Sequence, residues 1–145
     1  MIKLSGCLLI IILCTMIGVS RSNALKERTR SLRILTKMLE DTIQMIRYRK
    51  STVSEITDKF NKDEVSRKIL RGENNSLSEE GKSIVKNFLS ELGTSDTEGQ
   101  ISMITACLTS CNRLTVSSEQ EETAKCRLYE QLGFMLGSFI AVLLI

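Results

Sequence analysis

The sequence predicts an all-α protein, in which an antiparallel helical hairpin or bundle with short distal helices is continuous with an apolar segment at each end. The chain has no proline, so no helix interior loses a backbone donor or meets a ring clash. Apolar residues recur at spacings of three and four along the polar middle, and no stretch shows the alternation of a half-buried strand. The densest apolar runs lie at residues 4–19 and 132–145. We therefore expect a transmembrane helix at 1–20, a cytoplasmic helical domain at 21–127 and a transmembrane or re-entrant helix at 128–145.

The first apolar segment, residues 4–19, contains no charged side chain and spans about 24 Å as a helix. Flanking residues extend it toward the roughly 30 Å thickness of the hydrocarbon layer. Only Lys3 and the amino terminus carry positive charge before it. The basic residues that follow it closely are Arg21, Lys26, Arg28, Arg30 and Arg33. The positive-inside rule then keeps the following region in the cytoplasm. The alternative is a signal peptide cleaved near Ser20, which would leave a secreted helical protein.

The last apolar segment, residues 132–145, is about 21 Å long as a helix, which is short for a complete span. It either begins earlier, thins the bilayer or is re-entrant. Small residues recur at every fourth position of this segment: Gly133, Gly137 and Ala141. Such a stripe lets another helix approach closely in lipid. Cys14 and Gly18 form a matching small pair on the first segment, so we expect the two end helices to pack against each other there.

In the middle of the chain, the first long helix continues through residues 24–48 on an apolar stripe. Thr52 stands three residues before Glu55, which is the spacing of a capping box at the start of a short helix. Gly72 and the polar stretch after it end a second short helix. Ser76 is predicted to cap the fourth helix, whose apolar face stops at Gly93.

A corner follows in which one helix ends and the next begins. Gly93 is suited to the left-handed conformation that closes a helix, and Ser95 with Glu98 has the spacing of another capping box. Asp96 favours the positive end of the new helix. The second long helix then returns toward the last apolar segment along one apolar stripe, whose members are Ile101, Ile104, Leu108, Cys111 and Leu114 or Thr115.

The composition excludes several classes of function. The absence of histidine removes the commonest general base and the commonest metal ligand. The five cysteines form no disulfide framework, and Cys107 and Cys111 have no second pair nearby to complete a metal site, so we interpret them as core residues in a reducing compartment. The chain has no phosphate-binding glycine motif, no basic block and few aromatic residues. We expect a protein that is not an enzyme and that binds no cofactor, metal, nucleic acid or small-molecule substrate.

Four stretches of the chain carry a resemblance to a known family. They are the apolar start at 1–18, the stretch 30–48, the corner at 92–96 with Gln100, and the ending at 129–145. The most characteristic is the ending, which contains Leu132-Gly133-Phe134-Met135-Leu136-Gly137. By these stretches the chain resembles the stage III sporulation protein AB family of endospore-forming bacteria.

The resemblance implies a non-enzymatic scaffold in the channel that is assembled between mother cell and forespore, held in the mother-cell membrane beside other channel subunits. The cytoplasmic domain looks like the F-type platform domain of type II secretion and would dock a secretion-type ATPase. We place this docking at the corner, on Gly93, Ser95, Asp96 and Gln100. The alternative is that Gly93 and Asp96 only shape the corner. A membrane-anchored helical adaptor or regulator without a sporulation role is the other function that the pattern permits.

Overall fold

The computed structural model describes residues 2–49 and 51–144, without the side chains of residues 2–8, 10, 11, 130, 141, 143 and 144. Within these ranges the chain forms α1 (Ile2–Gln44), α2 (Val53–Asn61), α3 (Glu64–Leu70), α4 (Glu79–Glu91) and α5 (Thr97–Leu144). A π-helical turn at Met45–Arg49 closes α1. The described residues contain no strand, and the predicted all-α class is therefore confirmed.

The chain divides into two compact units. The terminal unit consists of Met1–Glu27 and Ser118–Ile145, and the central unit consists of Arg28–Ser117. Both long helices, α1 and α5, contribute residues to each unit. Among the residues that the structure describes, no helix is long and apolar enough to cross a membrane.

The central unit encloses an apolar core to which all five helices contribute. On α1, the predicted stripe places Leu32, Leu35 and Leu39 at no more than 1% exposure. Further core residues are Ile56 and Phe60 of α2, Ile69 of α3, Ile84, Val85 and Phe88 of α4, and Ile104 and Cys111 of α5. Each fully buried leucine or isoleucine contributes roughly 1.5–3 kcal/mol relative to exposure in water. The predicted apolar faces of the long helices are thus confirmed in this unit.

Local hydrogen bonds fix where the short helices begin and end. Thr52 Oγ1 accepts from the backbone N–H of Glu55 at 3.4 Å, and Glu55 Oε2 accepts from the backbone N–H of Thr52 at 3.2 Å. The predicted capping box of α2 is therefore confirmed. At the end of α3, Gly72 has φ of +69°, and the backbone N–H of Glu73 donates to the carbonyl of Lys68 at 3.0 Å. This is the glycine-closed helix end that the sequence predicts.

The predicted start of α4 at Ser76 is wrong by two residues. Ser78 Oγ accepts from the backbone N–H of Gly81 at 3.3 Å, so Ser78 is the N-cap. Ser76 instead lies in a turn in which its backbone N–H donates to Asn74 Oδ1 at 2.9 Å. Leu77, between the two serines, is buried, and its backbone N–H donates to the carbonyl of Asn74 at 3.3 Å, which holds the turn outside the helix.

Candidate docking and helix-packing sites

The corner between α4 and α5 contains the four residues predicted to dock a partner. Gly93 has φ of +86°, a left-handed conformation that residues with a Cβ adopt at a cost. Just before it, the backbone N–H of Leu92 donates to the carbonyl of Phe88 at 3.1 Å, which closes α4. Gly93, Ser95 and Asp96 are exposed and Gln100 is half-buried. The four residues thus lie on one accessible turn of the chain.

The start of α5 corrects one detail of the sequence interpretation. Asp96 Oδ1 accepts from the backbone N–H of Gly99 at 3.2 Å, so Asp96 caps the helix and the predicted capping box of Ser95 with Glu98 is wrong. The side chain of Gln100 donates to the carbonyl of Ser95 at 2.7 Å and fixes that residue outside the helix. The carboxylate of Asp96 also carries the charge that the positive end of a helix favours. Asp96 and Gln100 therefore shape the corner, and docking at this turn stays a prediction.

The corner has an acidic surface. Glu91, Asp96 and Glu98 are exposed, and residues 91–100 include no lysine or arginine. The negative charge also acts on a side chain of the core. The pKa of the Cys107 thiol is raised mainly by burial and to a smaller extent by the negative charge of Glu91. We name the surface formed by residues 91–100 the acidic corner.

In the terminal unit, α1 and α5 approach each other at backbone distance. A Cβ atom added to Gly18 would lie 2.6 Å from the carbonyl oxygen of Tyr129. A Cβ atom added to Gly133 would lie 2.9 Å from the carbonyl oxygen of Cys14. Both distances are too short for any residue other than glycine without a shift of the backbone. The structure therefore brings Cys14, Gly18 and Gly133 into one contact, which we name the glycine contact.

The same pairing continues along the unit. Cys126 Sγ donates to the carbonyl of Ser22 at 3.5 Å, so residue numbers rise on α1 as they fall on α5 and the two helices are antiparallel in this unit. Gly137, also predicted to belong to the small-residue stripe, is buried. The side chain of Ala141, the last predicted member, lies outside the described residues.

The outer surface of the terminal unit is apolar. Several large side chains on both helices are 59% to 72% exposed: Met16, Ile17, Phe134, Met135, Phe139 and Val142. Proteins that are monomeric in water rarely leave a large contiguous apolar surface uncovered. The surface is therefore suited to contact with lipid or with another apolar protein surface.

A groove of about 440 Å³ lies between the end of α3 and one face of α4, and sequence reasoning missed it. Its apolar lining includes Leu70, Val85 and Leu89, and its cations are Arg71, Lys82 and Lys86. Leu89 is 40% exposed, whereas Val85 on the same helix is buried. The available signal was the spacing of four and three between Lys82, Lys86 and Leu89, which places all three on one helix face. We name this site the basic groove.

The thiol pair of α5 lies against α1 in the central unit. Cys111 is fully buried, and its Sγ is 3.3 Å from Thr36 Oγ1. Burial raises the pKa of the Cys111 thiol, so the thiol is neutral and unreactive near pH 7. Cys107 packs against the same core, and its Sγ donates to the sulfur of Met103 at 3.8 Å. The two cysteines are core residues, as predicted, and the described residues hold no cluster of potential metal ligands.

The fold and these sites together define a helical protein with an enclosed central unit and a terminal unit that exposes apolar side chains. The family model of stage III sporulation protein AB matches residues 3–67 and 63–145. The chain belongs to this family, and the resemblance seen in its sequence is confirmed. The comparison with curated proteins and the comparison with solved structures found no significant match.

Proposed function

We propose that this sporulation protein is a non-enzymatic membrane scaffold of the channel between mother cell and forespore, and that its central unit docks the ATPase of that channel. The exposed apolar surface of the terminal unit carries the proposal. Residues 4–19, some of whose side chains lie outside the described set, contain no charge. Moving one large apolar side chain from water into an apolar medium contributes roughly 1.5–3 kcal/mol, so a row of them favours lipid strongly.

The distribution of charge supports a cytoplasmic central unit. Basic residues follow the first apolar segment closely, beginning at Arg21, and Lys125 and Arg127 stand just before the last one. With both apolar segments in the membrane, basic residues at both flanks would favour a central unit on the cytoplasmic side, by the positive-inside rule. The cytoplasm of the mother cell is also the compartment that supplies ATP to an ATPase.

The acidic corner is the docking surface that we propose for the ATPase. Its exposed carboxylates would attract a basic surface of the partner and orient it during the encounter. Because Asp96 also caps α5, a charge reversal there would disturb folding and docking together. Replacement by asparagine separates the two effects, since asparagine is as good an N-cap as aspartate but carries no charge.

The test is co-purification of the full chain with the sporulation ATPase after joint expression and extraction in detergent. We expect the variant Glu91→Gln/Asp96→Asn/Glu98→Gln to remain folded with a slightly lower thermal unfolding midpoint, because α5 loses two favourable charges at its start. It should lose at least about tenfold in recovered ATPase, as expected for three interface charges. Asp58→Asn, which removes an exposed carboxylate from α2, is the matched control and should recover the ATPase as the wild type does. Undiminished recovery with the triple variant would contradict docking at the acidic corner.

A further inference from the structure

The basic groove combines an apolar floor with a positively charged rim. On α4, Lys82 and Lys86 are four residues apart and Leu89 follows three residues later, so their side chains form one row along the helix. Arg71, at the C-terminal end of α3, faces this row from the opposite wall. Between the walls, Val85 is buried and forms part of the floor.

The positive charge of the groove is largely uncompensated. None of its lining residues is acidic. Lys82 Nζ lies 2.9 Å from Glu79 Oε1, but Glu79 is 90% exposed, and such surface pairs contribute little. Within the described part of the chain, neither Arg71 nor Lys86 forms an ion pair. Two cations are therefore available to an incoming ligand beside an apolar surface that Leu89 leaves partly in water.

We propose that the basic groove binds an acidic amphipathic helix of a protein partner. Apolar residues at helical spacing would cover Leu70 and Leu89, and carboxylates on the flanks of the same helix would meet Arg71 and Lys86. A volume of about 440 Å³ accommodates a few side chains of such a helix. A lipid headgroup or a free phosphate would satisfy the cations but leave the apolar floor in water. This proposal depends neither on the membrane anchor nor on which protein meets the acidic corner.

The test selects ligands without assuming their sequence. A displayed library of helical peptides has leucine fixed at positions i, i+3, i+4 and i+7, and Glu, Gln or Lys at random elsewhere. It is sorted against the full chain in detergent micelles. We expect the bound fraction to be enriched in glutamate and depleted in lysine. The apolar floor of the groove would bind the leucine stripe, and its cations would bind the negative charge of the peptide. Enrichment of neutral or basic peptides, or no enrichment, would overturn the proposal.

Variants then locate the binding. For a selected peptide, Arg71→Glu/Lys86→Glu should weaken binding at least tenfold, and Leu89→Ser should weaken it severalfold. The matched controls are Lys62→Glu, an exposed cation outside the groove, and Val116→Ser, an exposed apolar residue of α5. Both controls should bind as the wild type does. Equal binding of a scrambled peptide of the same charge would overturn the proposal, and so would binding of anionic vesicles through Arg71 and Lys86 without any peptide binding.

Discussion

At the scale of single residues, two glycines with positive φ distinguish backbone strain from steric crowding. Gly72 and Gly93 both lie in the left-handed region, at φ of +69° and +86°. A Cβ added to Gly72 would meet nothing within 4 Å, whereas a Cβ added to Gly93 would lie 2.9 Å from Val53 Cγ2. A substitution at Gly72 therefore tests backbone conformation alone. A substitution at Gly93 tests backbone conformation together with the contact between the corner and α2.

We predict that Gly72→Ala lowers the free energy of unfolding by about 1 kcal/mol, the usual cost of placing a Cβ in the left-handed region. Gly93→Ala should cost up to about 1 kcal/mol more, because valine is stiff at χ1 and moves aside poorly. Adding Val53→Ala to Gly93→Ala should recover that excess, whereas adding it to Gly72→Ala should not. Denaturant unfolding of the four variants measures the difference. Equal costs at both glycines would show that the corner tolerates a side chain at Gly93.

The helix caps show how far local sequence determines local structure. The cap at Thr52 was predicted correctly, and both hydrogen bonds of its capping box form although Ser51 and Ser54 stand close to it. At the starts of α4 and α5 two suitable residues stand close together, and the sequence interpretation chose the wrong one each time. Beside the observed caps, Leu77 is buried and the side chain of Gln100 binds the carbonyl of Ser95. A capping pattern of four residues contains neither contact.

At the scale of helices, the glycine contact sets how closely α1 and α5 pack in the terminal unit. In lipid, where apolar side chains gain nothing by leaving the solvent, such close backbone packing is a main source of helix association. The prediction of this packing rested on the spacing of small residues, which can be read along each helix separately. The basic groove escaped prediction because its two walls belong to different helices, and its cations resemble an ordinary solvated helix face.

We predict that Gly18→Val lowers the thermal unfolding midpoint of the protein in detergent, because its Cβ would lie 2.6 Å from a backbone oxygen that cannot move alone. Overpacking of this kind costs about 1–3 kcal/mol. Helix propensity opposes it by only a few tenths of a kcal/mol, because valine is a slightly better helix former than glycine. Ser20→Val, at an exposed position of the same helix, is the control and should leave the midpoint unchanged. An unchanged midpoint for Gly18→Val would mean that the two helices do not pack at this distance in solution.

At the scale of the whole molecule, the two units differ in where they place apolar side chains. The central unit buries them in a continuous core, as folding in water requires. The terminal unit exposes residues such as Met135 and Val142, which folding in water disfavours. Hydropathy along the sequence could predict this contrast, because the two units differ in how many apolar residues their segments contain.

We predict opposite accessibility of two engineered cysteines in a chain whose native cysteines are replaced by alanine. Asn75 is exposed in the turn before α4, so Asn75→Cys should resist a membrane-impermeant maleimide in intact bacterial cells and react after the membrane is permeabilised. A cysteine added after Ile145 should react in intact cells if residues 128–145 span the membrane, because it would then lie on the far side. Protection of both thiols would identify the last helix as re-entrant. Reaction of Asn75→Cys in intact cells would place the central unit outside the cytoplasm. The acidic corner could then not dock a cytoplasmic ATPase.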